Sequence, residues 1–414
     1  MRPSWTRGDG RFGVRMDSDV SGRKSKKIAY ILGNYPGKIE TFVLSEMKAL
    51  KRMGFDIYVC PLNHIPLNGQ VKGEFNAIYA EPFNLSGIAL SHLYFMLFKT
   101  VPYLKCLLRH RSYGGKRVFL KSTYFALAIK KLGIRHIHAH FGWTAADSAR
   151  MICRLTDIPF SFTAHAADIY YLPDNLEAKL REAKFVMTCV RNNKAYISRA
   201  FGQTAGRKTE VVYHGVDMET FRPLRDAGGK VVDVLSIGNL VEKKGHRYLI
   251  EACGILKRKG VSLKCLIVGE GPEKERLVNI IKDMEIEDSV IIEGRRPQAE
   301  LPVLYAKSKV FVLPSLITGQ GDRDGIPNVL AEAMAMGLPV VSCDVPNISE
   351  LIEHGKDGIL VRERDAEALA GSIENLLLNE GMRENLGKNA REKIEKAFDA
   401  KEHIQKVASM LFGR

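Results

Sequence analysis

The sequence predicts an α/β protein made of two doubly wound parallel-sheet domains that face each other across a cleft. Three observations lead to this prediction. The 414 residues exceed what a single hydrophobic core usually accommodates. Short apolar strands alternate with amphipathic helical segments, which is the pattern of parallel sheets with helical crossovers. The same succession of strand, glycine-containing loop and helix begins near residue 27 and again near residue 233.

Composition indicates a globular protein of the reducing, cytoplasmic side of a cell. Hydrophobic residues make up 45% of the chain and charged residues 26%, as in ordinary globular domains. The seven cysteines are scattered without metal-ligand or redox spacing. The N-terminus has no apolar signal segment, and no apolar run approaches the roughly 20 residues that span a bilayer. We therefore expect a cytoplasmic location.

Positive charge is concentrated in the first half of the chain. The formal net charge is +15, and no Asp or Glu occurs from residue 82 to residue 146. The same stretch contains the apolar run IALSHLYFMLF at 88–98, which is too short to span a bilayer but can lie in its interface. These features predict peripheral attachment to an anionic membrane surface, on the inner face of the plasma membrane. A solvated basic face is the simpler alternative. Nucleic acid is not expected, because no nucleic-acid module is recognised.

The first domain is assigned to residues 26–222. Residues 1–25 are rich in Gly, Arg, Ser and Asp, and predict a disordered basic tail. A βαβ opening is predicted by KKIAYILGNYPGKIETFVLSEMKALKRMGFDIYVCPL, in which a glycine-rich loop connects strand and helix. Further strands of the same parallel sheet are predicted by RHIHAHFG, FSFTAHA, FVMTCV and EVVYHGV.

The second domain, 233–398, repeats this scheme after a linker at 223–232. Units of strand, loop and helix are predicted by VVDVLSIGNLVEKKGHRYLIEACGILKRKG, SLKCLIVGEGPEKERLVNIIKDM and VIIEGRRPQAELPVLYAKS, followed by the strands VFVLPS and PVVSCD. Residues 399–414 predict a C-terminal helix that returns to the first domain. Doubly wound sheets bind ligands at the carboxyl ends of their strands, so the loops after these strands are the candidate site.

One such loop, DGIPNVLAEAMAMG at 324–337, contains a glycine and a proline just before a predicted helix. Asp324 precedes this helix, and Glu332 lies within it, eight residues later. Pro327 is a favoured first helical residue, which leaves Asp324 too far upstream to be an N-cap. Because a helix N-terminus favours a bound anion, the stretch predicts a ligand between the two carboxylates.

Glycine-rich loops after other strands predict contacts to phosphate. GNLVEKKG brings Lys243 and Lys244 to a strand end, where a cation can clamp phosphate oxygens, although solvation of a helix start is equally compatible. VGEGP at 268–272 indicates a tight turn and lacks the complete dinucleotide fingerprint. GNYPGKIETF supplies Gly37, which allows close approach of backbone to a ligand, though turn geometry explains this glycine equally well.

In this order, the motifs resemble the retaining GT-B glycosyltransferases of family 4, especially the colanic-acid and exopolysaccharide branch. The resemblance covers residues 27–400 and is strongest in GNLVEKKG, VGEGPE, LPS, DGIPNVLAEAMAMGLPVVS and ELIEHGKDGILV. It implies two Rossmann-like domains and transfer of a hexose from a nucleotide sugar to a lipid-linked oligosaccharide. A UDP-sugar is favoured over a GDP-sugar as donor. No obligatory metal or other cofactor is implied.

The resemblance also implies roles for individual residues. Glu332 binds the ribose hydroxyls, and Asp324 faces the donor sugar where the family usually has Glu. The diphosphate is received by backbone N–H groups near Gly325 and Ile326, and by Lys244. The catalytic group is thus His165, Lys244 and Asp324.

Further donor-binding positions follow from the same resemblance. Asn239 replaces the arginine that usually accompanies the phosphate-binding lysine, so Lys243, Lys244 or a first-domain residue must compensate. Three other positions are implied: His165 beside the donor sugar, Gly37 near the diphosphate and Arg295 beside the base.

Two metal-dependent alternatives are also compatible with the sequence. Asp17 with Asp19, and Asp322 with Asp324, form Asp-x-Asp patterns similar to those of metal-binding glycosyltransferases of the other major fold. A metal-dependent hydrolase would instead activate water with four strand-end residues, His138, His140, His165 and Asp168. Strand-end packing is the simpler explanation of these histidines. The donor sugar, its nucleotide, the acceptor, the linkage and the oligomeric state stay open.

Overall fold

The structure is a computed structural model that describes residues 26–37, 39–66, 74–80, 85–170, 175–224 and 228–413. The predicted tail at 1–25 and part of the predicted linker, 225–227, lie outside the described residues. The chain forms two parallel sheets, each covered by helices. The predicted α/β fold class with two doubly wound domains is therefore confirmed.

The first sheet has strand order β3-β2-β1-β4-β5-β6-β7, and every pairing in it is parallel. Its strands within the described residues are β1 (Lys26–Pro36), β2 (Phe55–Ile65), β3 (Asn76–Ala77), β4 (His136–His140), β5 (Phe160–Ala164), β6 (Phe185–Thr188) and β7 (Thr209–Val211). The chain reverses its direction of travel across the sheet between β1 and β4. This is the switch point at which doubly wound sheets leave a crevice.

The helices of the first domain cover both faces of that sheet. They are α1 (Thr41–Arg52), α2 (Leu85–Phe98), α3 (Thr100–Leu108), α4 (Lys116–Lys131), α5 (Thr144–Thr156), α6 (Ala166–Tyr170), α7 (Leu176–Glu182), α8 (Arg191–Phe201) and α9 (Gln203–Lys208). The predicted apolar run at 88–98 falls in α2. Within the described ranges, no helix has both the length and the hydropathy that crossing a membrane requires.

The second sheet has the order β10-β9-β8-β11-β12-β13, again with parallel pairings. Its strands are β8 (Val232–Ile237), β9 (Cys265–Val268), β10 (Val290–Glu293), β11 (Ser308–Leu313), β12 (Val340–Cys343) and β13 (Ile359–Val361). The helices are α10 (His246–Arg258), α11 (Lys274–Asp283), α12 (Leu301–Ala306), α13 (Asn328–Ala335), α14 (Ala366–Leu378), α15 (Glu380–Ala397) and α16 (Ala400–Phe412).

The start of α13 differs from the prediction by one residue. Pro327 has an extended backbone, with ψ of 121°, and is the N-cap, so the first helical residue is Asn328. Asp324 consequently lies four residues before the helix, which leaves room for Gly325 and Ile326 between its carboxylate and the first helical turn.

The chain crosses between the domains twice. Val216, after β7, pairs with Asp399, just before α16. α16 then packs on the first domain, where Val407 and Leu411 join the core beside β1 and the ring of Phe412 lies 5.1 Å from that of Phe55.

The strand β8 begins at Val232, which is the last residue of the predicted linker. A difference of this size is usual for the ends of secondary structure elements.

Candidate active site

A cleft of about 690 Å³ separates the carboxyl ends of the two sheets. The first domain lines it with the N-terminus of α1 and with the ends of β5 and β7. The second domain lines it with the loops after β8 and β10 and with the segment that leads into α13. Both the switch points of doubly wound sheets and the boundary between two domains are preferred places for ligands.

The cleft collects nine of the ten predicted site residues: His165, Asn239, Lys243, Lys244, Arg295, Asp324, Gly325, Ile326 and Glu332. Gly37 is the exception. Its N–H donates to the carbonyl of Ile65 at 2.8 Å, and a Cβ atom here would lie 2.8 Å from the carbonyl oxygen of Pro66. This glycine therefore allows close approach of two strand ends, while the following residues 39–42 are the ones that line the cleft.

Asp324 is the centre of a charged cluster. Its Oδ2 accepts hydrogen bonds from Lys244 Nζ at 2.7 Å and from Ser315 Oγ at 3.3 Å. Lys243 Nζ lies 3.1 Å from Asp322 Oδ1 and 3.9 Å from Asp324 Oδ1. Both aspartates of this Asp-x-Asp pattern thus have ammonium partners. The other pattern, Asp17 with Asp19, lies outside the described residues.

The start of α13 faces the cleft without a side-chain cap and without an acidic residue in its first turn. Its first amide N–H groups and the positive end of its dipole are therefore available to an anion. The side-chain amide of Asn347 fixes the approach to this helix by donating to the Asp324 carbonyl at 2.7 Å. A Cβ atom at Gly325 would lie 3.1 Å from Sγ of Cys189 in the first domain, so glycine lets the two domains meet closely here.

Glu332, on α13, is held by the hydroxyl of Tyr305. That hydroxyl donates to Glu332 Oε2 at 3.0 Å and lies 3.1 Å from the carbonyl oxygen of Val329. Burial raises the pKa of Glu332 to about 7, and the hydrogen bond from Tyr305 opposes this rise. Near neutral pH the carboxyl group therefore exists in both protonation states when no ligand is bound.

His165, on the opposite wall, lies in a group of aromatic rings. Its ring centroid is 5.0 Å from that of Phe42, 4.6 Å from that of Phe141 and 5.4 Å from that of His214. Burial, with His214 nearby, holds the pKa of His165 well below its usual value, so the imidazole is neutral. Its Nε2 is buried and has no hydrogen-bond partner among the described residues. A neutral ring nitrogen of this kind suits a ligand hydroxyl.

The geometry does not support the hydrolase alternative. Both ring nitrogens of His138 lie near hydroxyls, at 2.8 Å from Ser161 and 3.1 Å from Thr163. Asp168 Oδ2 accepts the backbone N–H groups of His165 and Gly142 and so fixes a loop. Within the described part of the chain, the groups able to hold a metal are Glu46 with His138 and His140, and His165 with Cys189 and His214. The four predicted ligands do not converge on one point.

Sequence reasoning missed other residues of the cleft. His214 follows β7 just as His165 follows β5, so the same strand-end signal applied to both. Arg323 had no such signal in the sequence. Its guanidinium lies over the ring of Tyr170 in the other domain, 4.5 Å from the centroid, and a contact between residues so far apart in the chain leaves no local pattern. Arg295 was placed in the site, but its contact was not foreseen: Nη2 donates to Asn239 Oδ1 at 3.3 Å.

Comparison with known proteins identifies the family. Residues 39–220 match the model of Glycosyltransferase Family 4, and residues 217–393 match that of Glycosyl transferases group 1. A relative named for colanic acid biosynthesis, the glycosyltransferase WcaL of Salmonella typhimurium, is 30% identical over 93% of this chain and 99% of its own length. The chain belongs to the family 4 glycosyltransferases. This glycosyltransferase is also 40% identical over 205 residues to the amylovoran biosynthesis glycosyltransferase AmsK of Erwinia amylovora, which is 49% of this chain and 50% of AmsK.

Solved structures agree on the architecture of this glycosyltransferase. Sucrose-phosphate synthase from Thermosynechococcus elongatus superposes with a TM-score of 0.72 at 19% identity, over 93% of this chain and 98% of that one. Anabaena Alr3699/HepE in complex with UDP-glucose gives a TM-score of 0.70 at 18% identity, over 93% and 99% of the two chains. At such identities the likeness shows the fold, and the predicted GT-B architecture is confirmed.

Proposed function

We propose that this glycosyltransferase transfers a hexose, with retention of anomeric configuration, from a nucleotide sugar to a lipid-linked saccharide in exopolysaccharide biosynthesis. The observation that carries the proposal is the cleft wall on which Glu332, Lys244 and the uncapped start of α13 lie together, with His165 opposite. The relatives named for colanic acid and amylovoran biosynthesis support the pathway. The UDP-glucose held by Alr3699/HepE supports a nucleotide sugar as donor.

The second domain binds the donor in this proposal. Glu332, as a carboxylate, accepts hydrogen bonds from the ribose hydroxyls, and such charge-assisted bonds contribute about 1.5 to 3 kcal/mol. The diphosphate lies against the N–H groups at the start of α13, near Gly325 and Ile326, where the helix dipole favours an anion. No metal is required, because cationic side chains of the cleft provide the positive charge.

Lys244 is the principal cation for the leaving group. When the bond from the anomeric carbon to the diphosphate breaks, negative charge grows on the diphosphate and positive charge on the sugar ring. Lys244 is already held at the cleft wall by its 2.7 Å contact with Asp324, so little reorganisation precedes its interaction with phosphate. Asp324 then positions this lysine and faces the sugar ring.

Arg295 supplies the charge that Asn239 lacks. The family usually places an arginine at the position of Asn239, and here the guanidinium of Arg295 donates to the Asn239 side chain at 3.3 Å. Both residues line the cleft. We assign Arg295 to the diphosphate end of the donor on this contact, in addition to its expected place beside the base.

Retention follows if the acceptor hydroxyl attacks the face from which the diphosphate departs. The acceptor oxygen forms the new glycosidic bond as the bond to the diphosphate breaks, and its proton passes to the departing phosphate oxygen. No protein nucleophile takes part. His165, with its neutral and unpartnered Nε2, accepts a hydrogen bond from a donor-sugar hydroxyl. A lipid-linked acceptor would place the reaction at the inner face of the plasma membrane.

The test is a thermal-shift series with UDP-hexoses and GDP-hexoses on wild type and Glu332→Gln. A ligand at 100 times its Kd stabilises a protein by about 2.7 kcal/mol, so we expect one nucleotide sugar to raise Tm by several degrees in wild type. The same ligand at the same concentration should raise it less in the variant. If no nucleotide sugar stabilises wild type, or if both proteins respond alike, the donor assignment is wrong.

A further inference from the structure

Two neighbouring helices of the first domain expose an unusual amount of apolar surface. Of the 18 large hydrophobic side chains that are exposed in the described part of the chain, 10 lie on α2 and α3. The most exposed include Leu97 at 62%, Phe98 at 69%, Val101 at 62% and Leu108 at 82%. We refer to the outward side chains of 85–108 as the apolar hairpin face. Large exposed apolar surfaces on a folded domain usually mark an interaction site.

The inward-facing side chains of both helices are buried in the core of the first domain. Phe95 of α2 and Tyr103 and Cys106 of α3 belong to one buried cluster. α2 is therefore apolar on both sides, whereas a helix that faces water normally carries polar residues outward. Within α2, Phe95 is buried, while Leu93 and Phe98 are 47% and 69% exposed.

Basic side chains flank this face. Lys105 lies on α3, and the segment that follows carries Arg109, Arg111 and Lys116, all exposed. No acidic residue lies within 82–146 to offset them. Apolar side chains flanked by lysine and arginine are typical of helices that lie in the interface of an anionic bilayer. The 14 residues of α2 extend over about 21 Å, which is less than the hydrocarbon thickness of roughly 30 Å, so α2 can only lie along the surface.

The basic segment also connects the apolar hairpin face to the cleft. A Cβ atom at Gly114 would lie 3.4 Å from the methyl group of Thr144, the first residue of α5. Trp143 precedes it, is 46% exposed and has its ring 6.3 Å from that of Phe141, which lines the cleft. The basic segment therefore lies beside residues that lead to the wall of the cleft.

We propose that α2, α3 and the basic segment after them form a membrane-interface surface, which inserts the apolar hairpin face among the lipids of an anionic bilayer. The apolar side chains provide the anchor, and the basic side chains select anionic lipid. The inference rests on the proposed function only where it brings a lipid-linked acceptor to the cleft, since binding to lipid requires neither donor nor acceptor.

Co-sedimentation with vesicles tests the apolar part. The full chain is mixed with vesicles of phosphatidylcholine alone or with phosphatidylglycerol, at low and high salt. The test variant combines Leu93→Ser, Leu97→Ser and Val101→Ser. The control combines Ile291→Ser, Val303→Ser and Leu378→Ser, which are equally exposed apolar residues of the second domain. We expect the partition coefficient of the test variant to fall by about tenfold or more, and that of the control to match wild type.

A second pair of variants tests the selection of anionic lipid. The test variant combines Arg109→Ser, Arg111→Ser and Lys116→Ser, and the control combines Arg258→Ser, Lys282→Ser and Lys388→Ser, which are exposed basic residues of the second domain. Each basic side chain near an anionic surface contributes roughly a fivefold factor, so we expect a loss of about 100-fold in the test variant at low salt. The difference between this variant and wild type should shrink at high salt, because the Debye length is then shorter and the electrostatic attraction is screened.

Three outcomes would overturn the inference. The apolar variant could bind vesicles as wild type does, or the second-domain controls could lose as much binding as the test variants. Wild type could also ignore vesicles and form a dimer that the apolar variant dissociates, which would make the face a contact between two copies. Circular dichroism verifies that each variant is folded. A donor-induced rise in Tm that persists in the apolar variant separates failure of this inference from failure of the donor assignment.

Discussion

At the scale of single residues, Glu332 has the property most open to measurement. Its pKa of about 7 has a physical origin in burial beside Tyr305 and the core of the second domain. A carboxylate that accepts hydrogen bonds from ribose must be ionised to bind well. Donor binding is therefore coupled to loss of the proton from Glu332.

The predicted result is that nucleotide-sugar affinity improves as pH rises through 7. With a pKa of about 7, the ionised fraction grows about tenfold between pH 6 and pH 8, and the association constant should grow by up to the same factor. The diphosphate of a nucleotide sugar lacks the terminal phosphate group whose second pKa is near 6. His165 does not interfere, because its pKa is held well below the usual value. Calorimetric titrations at pH 6, 7 and 8 measure the effect.

Glu332→Gln is the control for this pH dependence. The variant should bind the donor with an affinity that is flat between pH 6 and pH 8. A wild-type affinity that does not change over this range would contradict the assignment, as would an equal slope in both proteins. The free energy of unfolding depends on pH in the opposite sense. The pKa of Glu332 in the folded state exceeds the ordinary value of 4.5. The contribution of Glu332 to stability is therefore present in full below pH 4.5 and is lost as pH rises through 7.

Most of the predicted site residues line the cleft, but the contacts between them could not be predicted from the sequence. The motif around Asp324 and Glu332 led to two carboxylates of the cleft wall, since helix-start chemistry is local in sequence. The contact between Lys244 and Asp324 joins residues 80 positions apart, and periodicity does not report such pairs. Gly37 lies outside the residues that line the cleft. A glycine beside a strand end allows close approach to a ligand or to another backbone, and the sequence does not distinguish the two.

At the scale of secondary structure elements, α8 begins in the first domain but is capped by the second. Glu350, just after β12, accepts the backbone N–H of Arg191 and that of Asn192, each at 2.9 Å. The hydroxyl of Tyr213 donates to the same carboxylate at 3.2 Å, and the side chain of Asn192 donates to the Pro346 carbonyl. A carboxylate at a helix N-terminus also interacts favourably with the helix dipole. Glu350 therefore couples the stability of α8 to the contact between the two domains.

Removing this cap should loosen α8. Loss of an N-cap costs about 0.5 to 2 kcal/mol, so in Glu350→Ala we expect amide hydrogen exchange at the start of α8 to accelerate by about 2- to 30-fold. Glu353→Ala is a matched control three residues away, because Glu353 makes an exposed ion pair with Lys356 within the second domain. Hydrogen exchange with mass spectrometry measures both. Unchanged exchange in Glu350→Ala, or equal changes in the two variants, would show that the cap does not stabilise α8.

Elements with strong local patterns agreed with the prediction, whereas the shortest strand, β3, was not predicted. The buried strands β8 and β11 read as apolar runs because helices cover both faces of a parallel sheet. β3 comprises only Asn76–Ala77 and has no periodicity to detect. The cap of α8 could not be predicted from a local pattern either, since Glu350 lies 158 residues from Asn192 and 159 residues from Arg191 along the chain.

At the scale of the whole molecule, contacts between described residues draw the domains together around the cleft. They include the approach of Gly325 to Cys189, the guanidinium of Arg323 over Tyr170 and the cap that Glu350 provides for α8. In addition, the chain itself returns to the first domain through α16, which packs on that domain's core. The two-domain arrangement itself was predictable from the repeated strand, loop and helix pattern. The closeness of the domains was not, because each of these contacts joins residues far apart in sequence.

The central claim is that this cleft binds a nucleotide sugar through Lys244 and Glu332, and calorimetry at pH 8 tests it most directly. The titrant is the nucleotide sugar that gives the largest thermal shift, and the proteins are wild type, Lys244→Ala, Glu332→Gln and Lys243→Ala. We expect the Kd to rise by about 10- to 100-fold in Lys244→Ala and Glu332→Gln, since each loses a charge-assisted hydrogen bond worth about 1.5 to 3 kcal/mol. Lys243→Ala should lose clearly less, because its nearer partner is Asp322 rather than Asp324. Wild-type affinity in both Lys244→Ala and Glu332→Gln would contradict the account and place the donor elsewhere.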